Sequence, residues 1–93
     1  MDYGAKHIIE KQMYTVDLGD GHTAFLTYSD RDGRRHILHT EIPAELRGGG
    51  YGKILMEAVL TKMEEEGVNV VPICSYARIY MMRNQQWAHL QKG

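Results

Sequence analysis

The segment Arg47–Lys53 has the residue types and the spacing to bind phosphate, because four glycines in five positions stand directly before an amphipathic stretch. Glycine reaches positive φ and has no Cβ, so its backbone can approach a ligand closely. The first N–H groups of a helix lack intrahelical partners, and the helix dipole adds positive potential there. The segment is therefore interpreted as an anion site, the alternative being a flexible connection without a ligand.

Two nucleotide-binding motifs do not fit this segment. A P-loop would need glycine at position 47 and a hydroxyl residue at position 54, where the chain has Arg47 and Ile54. A dinucleotide fingerprint would need glycine at position 53 or 55, and neither position is glycine. The pattern that fits is Arg/Gln-x-x-Gly-x-Gly/Ala, which Arg47, Gly50 and Gly52 satisfy.

Two polar side chains in the strand predicted before this loop are candidate bases. Strict strand alternation places Ile37, His39 and Glu41 on one face and His36 and Thr40 on the other. His39 and Glu41 could remove a proton from a reacting group, or they could simply form an exposed polar face. Because His36 and His39 are expected on opposite faces, no zinc site is predicted.

The other chemical candidates belong to the second half of the chain. Cys74 ends a short apolar segment just before a predicted helix, and a thiol at a helix N-terminus has a lowered pKa. The alternative for Cys74 is a small apolar filler. Tyr76 and Tyr80 lie four residues apart and therefore share one face of that helix, where they either pack or meet a ligand.

The elements that must position these residues begin with an antiparallel meander. Strands are predicted around Ile8–Val16, over His22–Ser29 and over Arg35–Ile42, with turns at Asp17–Gly21 and Asp30–Gly33. Pro43 ends the third of these strands because proline donates no ladder hydrogen bond.

After the glycines, apolar residues recur at helical spacing until a helix stop at Gly67. Val68–Cys74 is predicted to be a strand buried on both faces. Ser75 is predicted to cap a second helix over Tyr76–Asn84, and Gln85–Gly93 to form a last helical turn with a frayed end. The order of strands, helix, strand and helix predicts one α+β domain over residues 1–93.

Composition narrows the classes of partner. Apolar residues make up 43% and charged residues 25% of the chain, with a formal net charge of −1. This balance favours neither nucleic acid nor an anionic membrane as partner. One cysteine excludes an internal disulfide framework. The first residues carry no signal-peptide pattern, so a cytoplasmic domain is expected.

The Arg47-x-x-Gly50-x-Gly52 pattern resembles the acetyl-CoA signature of GCN5-related N-acetyltransferases. The match extends to three further segments, which resemble the small truncated N-acetyltransferase-like group of that superfamily: His39–Pro43, Glu45–Gly48 and Val71–Cys74. The resemblance implies a truncated acyl-CoA N-acetyltransferase fold. It also implies acetyl-CoA as cosubstrate and an amine of unknown identity as acceptor.

By the same resemblance, the backbone of the strand before the loop pairs with the pantetheine arm of the cofactor. The residues that it implies for cofactor contact are Thr40, Glu41, Ile42, Arg47, Gly48, Gly49, Gly50, Tyr51, Gly52, Lys53, Cys74, Tyr76 and Tyr80. For catalysis the resemblance implies Cys74 and Tyr80, which join His39 and Glu41, the candidate bases that strand alternation gives.

Within that catalytic set, the tyrosine would be the acid for the departing thiolate, and a Cys74 acetyl-enzyme is a variant of direct transfer. The chain has Ser75 and Asn84-Gln85 where the truncated group has proline and His-Pro. The alternative function is a non-catalytic acyl-CoA-binding or protein-interaction module. With either function, a monomer or weak dimer is expected.

Overall fold

Five strands form one mixed sheet in the computed structural model, which describes residues 3–91. The strands are β1 (Ala5–Ile8), β2 (Met13–Gly19), β3 (His22–Arg31), β4 (Arg34–Glu41) and β5 (Asn69–Pro72). The first four are antiparallel neighbours in chain order, and β5 pairs with β4 in parallel. The predicted meander and the α+β class are confirmed.

Two α-helices follow the meander, α1 (Tyr51–Glu66) and α2 (Ser75–Arg83). Short 3-10 helices occupy Ile9–Lys11, Ala44–Leu46 and Gln85–Gln91. Within residues 3–91, neither α-helix has the length and apolar character that a membrane span requires.

The ends of the elements follow from residues that tolerate positive φ. Asp32 and Gly33 have φ of 54° and 75°, which is the two-residue turn that matches the twist of a hairpin. Gly67 ends α1 at φ 73°, and its N–H bonds to the carbonyls of Glu64 and Met63. The predicted hairpin turn and helix stop are both confirmed.

One hydrophobic core joins the sheet to the helices. Alternate residues of β2 and β3 are buried, so one sheet face is packed, and α1 contacts β1, β2 and β3. The buried side chains of α1 recur at helical spacing: Leu55, Met56, Ala58, Val59, Leu60 and Met63. This packing fixes the start of α1 beside the end of β4.

A β-bulge at Leu38 interrupts the alternation of β4. Tyr28 of β3 pairs with Ile37, but the next β3 residue back along the chain, Thr27, pairs with His39. Leu38 is therefore the extra residue, and its side chain is 46% exposed.

The bulge corrects the predicted faces of β4. His39 and Glu41 share a face, as predicted, but Ile37 does not share it with them. Ile37 instead lies on the packed face with Thr40, which pairs with buried Leu26. His36, expected opposite His39, lies on the same side as that histidine, because one extra residue reverses the alternation.

Four other predictions about elements are wrong in part. The first predicted strand is a hairpin, β1 and β2, divided by the 3-10 turn before Gln12 (φ 51°). The predicted double burial of β5 fails because β5 ends the sheet order, and only Val70 is fully buried. Cys74, not Ser75, is the N-cap of α2. The predicted last helical turn is present, but it is a 3-10 helix that runs to Gln91, and buried Trp87 packs it on the core.

Leu90 is buried as well, so the final 3-10 helix packs on the core through two side chains. Lys92 and Gly93, the end of the tail predicted to fray, lie outside the described residues.

A polar network ties the C-terminal end of α1 to the four antiparallel strands. His7 Nδ1 lies 2.7 Å from one carboxylate oxygen of Glu66, and the Tyr14 hydroxyl donates to the other at 2.5 Å. Arg35 donates to the Tyr14 oxygen at 2.7 Å, while His7 Nε2 meets the Tyr28 hydroxyl at 2.5 Å. Each strand of the meander thus contributes one residue to the carboxylate cluster.

Replacing Glu66 by glutamine should destabilise the fold by about 1–2 kcal/mol near neutral pH, because the network loses charge-assisted hydrogen bonds. Burial raises the pKa of Glu66, but hydrogen bonds from Tyr14 and His7 outweigh it and leave that pKa below its usual 4.5. A carboxyl group whose pKa is lower in the folded than in the unfolded protein stabilises the fold at pH values above the unfolded-state pKa. This stabilisation is lost as the pH falls. The difference in unfolding free energy between the two proteins should therefore shrink as urea melts are repeated at pH values falling below about 4.5.

Glu65→Gln is the matched control, since Glu65 is an exposed neighbour on the same helix. A Glu66→Gln protein that unfolds like Glu65→Gln at every pH would contradict the stabilising role of the network.

Candidate functional site

A cleft of about 240 Å³ lies between the end of β4 and the start of α1. Its lining is Thr40, Ile42, Leu46, Arg47, Gly48, Gly50, Tyr51, Gly52, Leu55 and Tyr76. Most of the residues expected to contact a cofactor are therefore in one place. Leu55 was not predicted because apolar residues at helix spacing indicate only core packing, and Leu46 because a single leucine before the loop carries no signal of ligand contact.

The loop brings unpaired backbone N–H groups to this cleft. Gly50 is the N-cap of α1 at φ 82°, and no side chain caps the helix. The N–H groups of the first helical turn therefore lack intrahelical acceptors. A Cβ at Gly48 or Gly50 would meet nothing within 4 Å, so the space beside both residues is open. This is the geometry of an anion site.

Gly52 is required for a different reason. A Cβ built on Gly52 would overlap the hydroxyl group of Tyr76. Tyr76 therefore lies against the first turn of α1 and forms one wall of the cleft, with 43% of its surface exposed.

β4 and β5 separate beside the cleft. Their pairing runs from Arg34 with Asn69 to Ile37 with Pro72. The N–H groups of Ile73 and Cys74 then converge on the carbonyl oxygen of Ile37, each at 3.0 Å.

Beyond Ile37, β4 continues to Glu41 with no β5 partner among residues 3–91. One backbone edge of β4 consequently has no strand partner next to the cleft within the described part of the chain.

Cys74 lies at this opening. It is half-buried at the N-cap of α2, and its Sγ is 3.8 Å from the Thr40 hydroxyl. Burial raises the pKa of the thiol. Hydrogen bonds from the Ala77 and Tyr76 N–H groups and from Thr40 lower the pKa by more than burial raises it. The net effect is a pKa below the ordinary value, in the direction predicted for a thiol at a helix N-terminus.

His39 and Glu41 are linked to the loop by a chain of ion pairs. Glu41 Oε1 lies 3.1 Å from His39 Nε2, and Glu41 Oε2 accepts from Arg47 Nη2 at 2.5 Å. Arg47 Nε also donates to the carbonyl of Ile42 at 3.1 Å. The hydrogen bond to His39, and next the one to Arg47, lower the pKa of Glu41. Sequence reasoning missed the pair of Arg47 with Glu41, which only opposite charges six residues apart could have suggested.

Besides His39, Glu41 and Cys74, three predicted site residues lie outside the cleft lining: Gly49, Lys53 and Tyr80. Lys53 is exposed. Tyr80 belongs to the core at 6% exposure, and its hydroxyl has no hydrogen-bond partner among the described residues. Burial is the main cause of its raised pKa. The two tyrosines of α2 thus occupy different environments, one in the cleft wall and one in the core.

The described residues form no candidate metal site. Within the part of the chain that the structure describes, no three histidine, cysteine or carboxylate side chains converge as ligands.

Comparisons with known proteins agree on one family. A family model described as GCN5-related N-acetyl-transferase matches residues 13–90. Protein NATD1 of Gallus gallus is 31% identical over an alignment of 91 positions, and the match covers 92% of this chain and 83% of that protein. Protein NATD1 of Homo sapiens is 28% identical over an alignment of 89 positions, and the match covers 94% of this chain and 79% of that protein.

A solved structure has the same fold. It is the NMR structure of a GCN5-like protein from Staphylococcus aureus, 23% identical in sequence, with a TM-score of 0.70. The similarity covers 99% of this chain and 90% of the other.

Replacing Thr40 by valine should raise the pKa of Cys74, because the thiolate loses the hydroxyl group beside it. Alkylation by iodoacetamide, followed as a function of pH, should then reach its half-maximal rate at a higher pH than in the unchanged protein. Thr27→Val serves as the control, since Thr27 pairs with His39 on the other sheet face. Identical profiles for Thr40→Val and Thr27→Val would show that Thr40 does not act on the thiol.

Proposed function

Because the chain belongs to the GCN5-related N-acetyltransferase family, we propose that it binds acetyl-CoA and transfers the acetyl group to an amine. The observation that carries the proposal is the cleft between β4 and α1, which combines open space beside Gly48 and Gly50 with the uncapped start of a helix. A helix start of this kind suits the pyrophosphate of the cofactor.

The free edge of β4 supports a position for the pantetheine arm. Thr40 and Ile42 line the cleft, and β4 has no β5 partner after Ile37 in the described chain. An extended amide-containing arm can pair with such an edge as an added strand does. The arm would then run from the loop toward Cys74, with the Tyr76 ring along one side.

When bound, acetyl-CoA supplies an activated acetyl thioester. The acceptor ammonium must lose a proton before its nitrogen can attack, and His39 is the base in this proposal. Its side chain is 60% exposed, so an amine from solvent can reach it, and Glu41 holds the ring by the hydrogen bond to Nε2. The backbone N–H groups of the unpaired part of β4 are donors for the oxyanion that forms during transfer.

Tyr80 has a packing role in this proposal. Its hydroxyl is buried away from the cleft, so the departing thiolate cannot take a proton from it in this conformation. The acetyl group moves directly to the amine: His39 takes one proton from the ammonium before attack, and the nitrogen loses a second proton after attack, which passes through solvent water to the departing thiolate and gives the amide and CoA.

Cys74 offers a second route for the same reaction. Its thiolate would attack the thioester, taking the acetyl group and releasing the CoA thiolate. The amine would then attack the carbonyl carbon of the acetyl-cysteine thioester, breaking its C–S bond and regenerating the Cys74 thiolate, so that both routes give the same products.

Replacing Gly50 by alanine should weaken CoA binding by about tenfold or more, which corresponds to about 1.4 kcal/mol. The new Cβ would fill the open space beside the helix start, where the pyrophosphate is proposed to bind. Isothermal titration calorimetry with CoA measures the effect.

Gly33→Ala is the matched control, because Gly33 also has a positive φ but lies in the β3–β4 hairpin. It should carry the same backbone strain and bind CoA like the unchanged protein. Equal CoA affinities in all three proteins would contradict the assignment of the loop as the pyrophosphate site. Binding of acetyl-CoA without acetylation of any polyamine or lysine peptide would favour the non-catalytic module.

Replacing Cys74 by alanine distinguishes the two routes. Direct transfer predicts a change in kcat of no more than a few fold, because the thiol only borders the opening. The covalent route predicts a loss of about 10³-fold or more, as expected when a nucleophile is removed. Cys74→Ser keeps the size of the side chain, and kcat for both variants should be compared with their CoA affinities.

A further inference from the structure

Arg47 belongs to two parts of the site at once. Its side chain lines the cleft proposed for the phosphates, and its Nη2 also donates to the Glu41 carboxylate at 2.5 Å. The side chain is 61% exposed and its Nε holds the Ile42 carbonyl, so it is directed back toward the end of β4. A ligand in the cleft therefore meets a guanidinium that already has an anionic partner.

Glu41 is the second shared residue. One of its oxygens faces Arg47 and the other faces His39, at 3.1 Å from Nε2. A carboxylate that binds a cation through one oxygen is a weaker acceptor at its other oxygen, because the cation neutralises part of the carboxylate's negative charge. The strength of the contact between His39 and Glu41 thus depends on how fully Arg47 engages the same carboxylate.

The surroundings of Glu41 leave these two residues as its charged neighbours. On β3, Phe25 is the register partner of Glu41 and Thr27 that of His39, and neither is charged. The Phe25 ring lies 6.3 Å from the His39 ring. The titratable thiol of Cys74 contacts Thr40, which points to the packed face of β4.

We propose that Arg47 is a positioning residue that couples occupation of the phosphate cleft to the base. A phosphate anion draws the guanidinium away from Glu41, and the released carboxylate then accepts more strongly from the Nε2–H of His39, which holds the ring with the lone pair of Nδ1 available to the amine. The base would therefore become fully effective only after the cofactor has bound. The inference rests on the proposed function and adds an order of events to it.

The test uses CoA, which lacks the acetyl group and cannot turn over. Calorimetry first establishes its affinity for the unchanged protein, for Arg47→Gln and for a charge-matched control, Arg31→Gln, at an exposed end of β3. The Glu41 carboxyl carbon is then followed by ¹³C NMR across a pH titration, with and without saturating CoA. Arg47→Gln is compared at the same fractional saturation.

In the unchanged protein and in Arg31→Gln, saturation with CoA should raise the pKa of Glu41, because Arg47 is drawn away. In Arg47→Gln, most of this rise should be lost. A rise of equal size in Arg47→Gln would mean that the phosphates act on Glu41 directly through space, and would overturn the coupling.

A Glu41 signal that does not respond to bound CoA would overturn the coupling as well, while leaving the proposed function intact. Absence of CoA binding to the unchanged protein would overturn the proposed function and the coupling together. The calorimetric and NMR results therefore distinguish failure of one from failure of the other.

Discussion

The end of pairing between β4 and β5 is the constraint on which the site depends. Two successive N–H groups, those of Ile73 and Cys74, converge on the carbonyl of Ile37. In a parallel pair the hydrogen bonds are evenly spaced along both strands. Two successive donors on one acceptor break this spacing, so the pairing ends there. Pro72, which has no N–H, stands at that point. The remainder of β4 is then free on one edge, and a cleft can open beside it.

The rest of the fold holds that opening at the start of α1. Core packing along α1 sets its distance from the sheet, and the network around Glu66 fixes the far end of the helix against the meander. Sixteen residues, about 24 Å of helix, separate the two ends. The uncapped N-terminus is held in place by contacts made well away from it, so the loop before it can consist almost entirely of glycine.

Local signals in the sequence were enough to predict the turn at Asp32-Gly33, the stop at Gly67 and the cleft-forming loop. Each is decided by residues that are adjacent in the chain. The bulge at Leu38 was not predictable in the same way, because it is a property of the register between β3 and β4. No residue type in β4 indicates a bulge, and the bulge is the reason that Ile37 and His39 lie on different faces.

The sequence left open whether Tyr80 packs in the core or meets a ligand, for a related reason. Helical spacing places Tyr76 and Tyr80 on one face, but it does not say where along that face the core ends. The core ends between them, since α2 leaves the sheet at Cys74 with its first turn beside the cleft. Burial along a helix depends on neighbours that are distant in sequence, such as Trp87 from the tail.

The contact between Gly52 and Tyr76 has a consequence for how sequences of this kind can diverge. The two positions share one volume, and a side chain at the first leaves no room for the phenol at the second. A lineage can replace the glycine only if the aromatic ring has already been reduced or redirected. The substitutions must therefore occur in a fixed order, and the two positions change together even though most of α1 and the whole of β5 separate them in the chain.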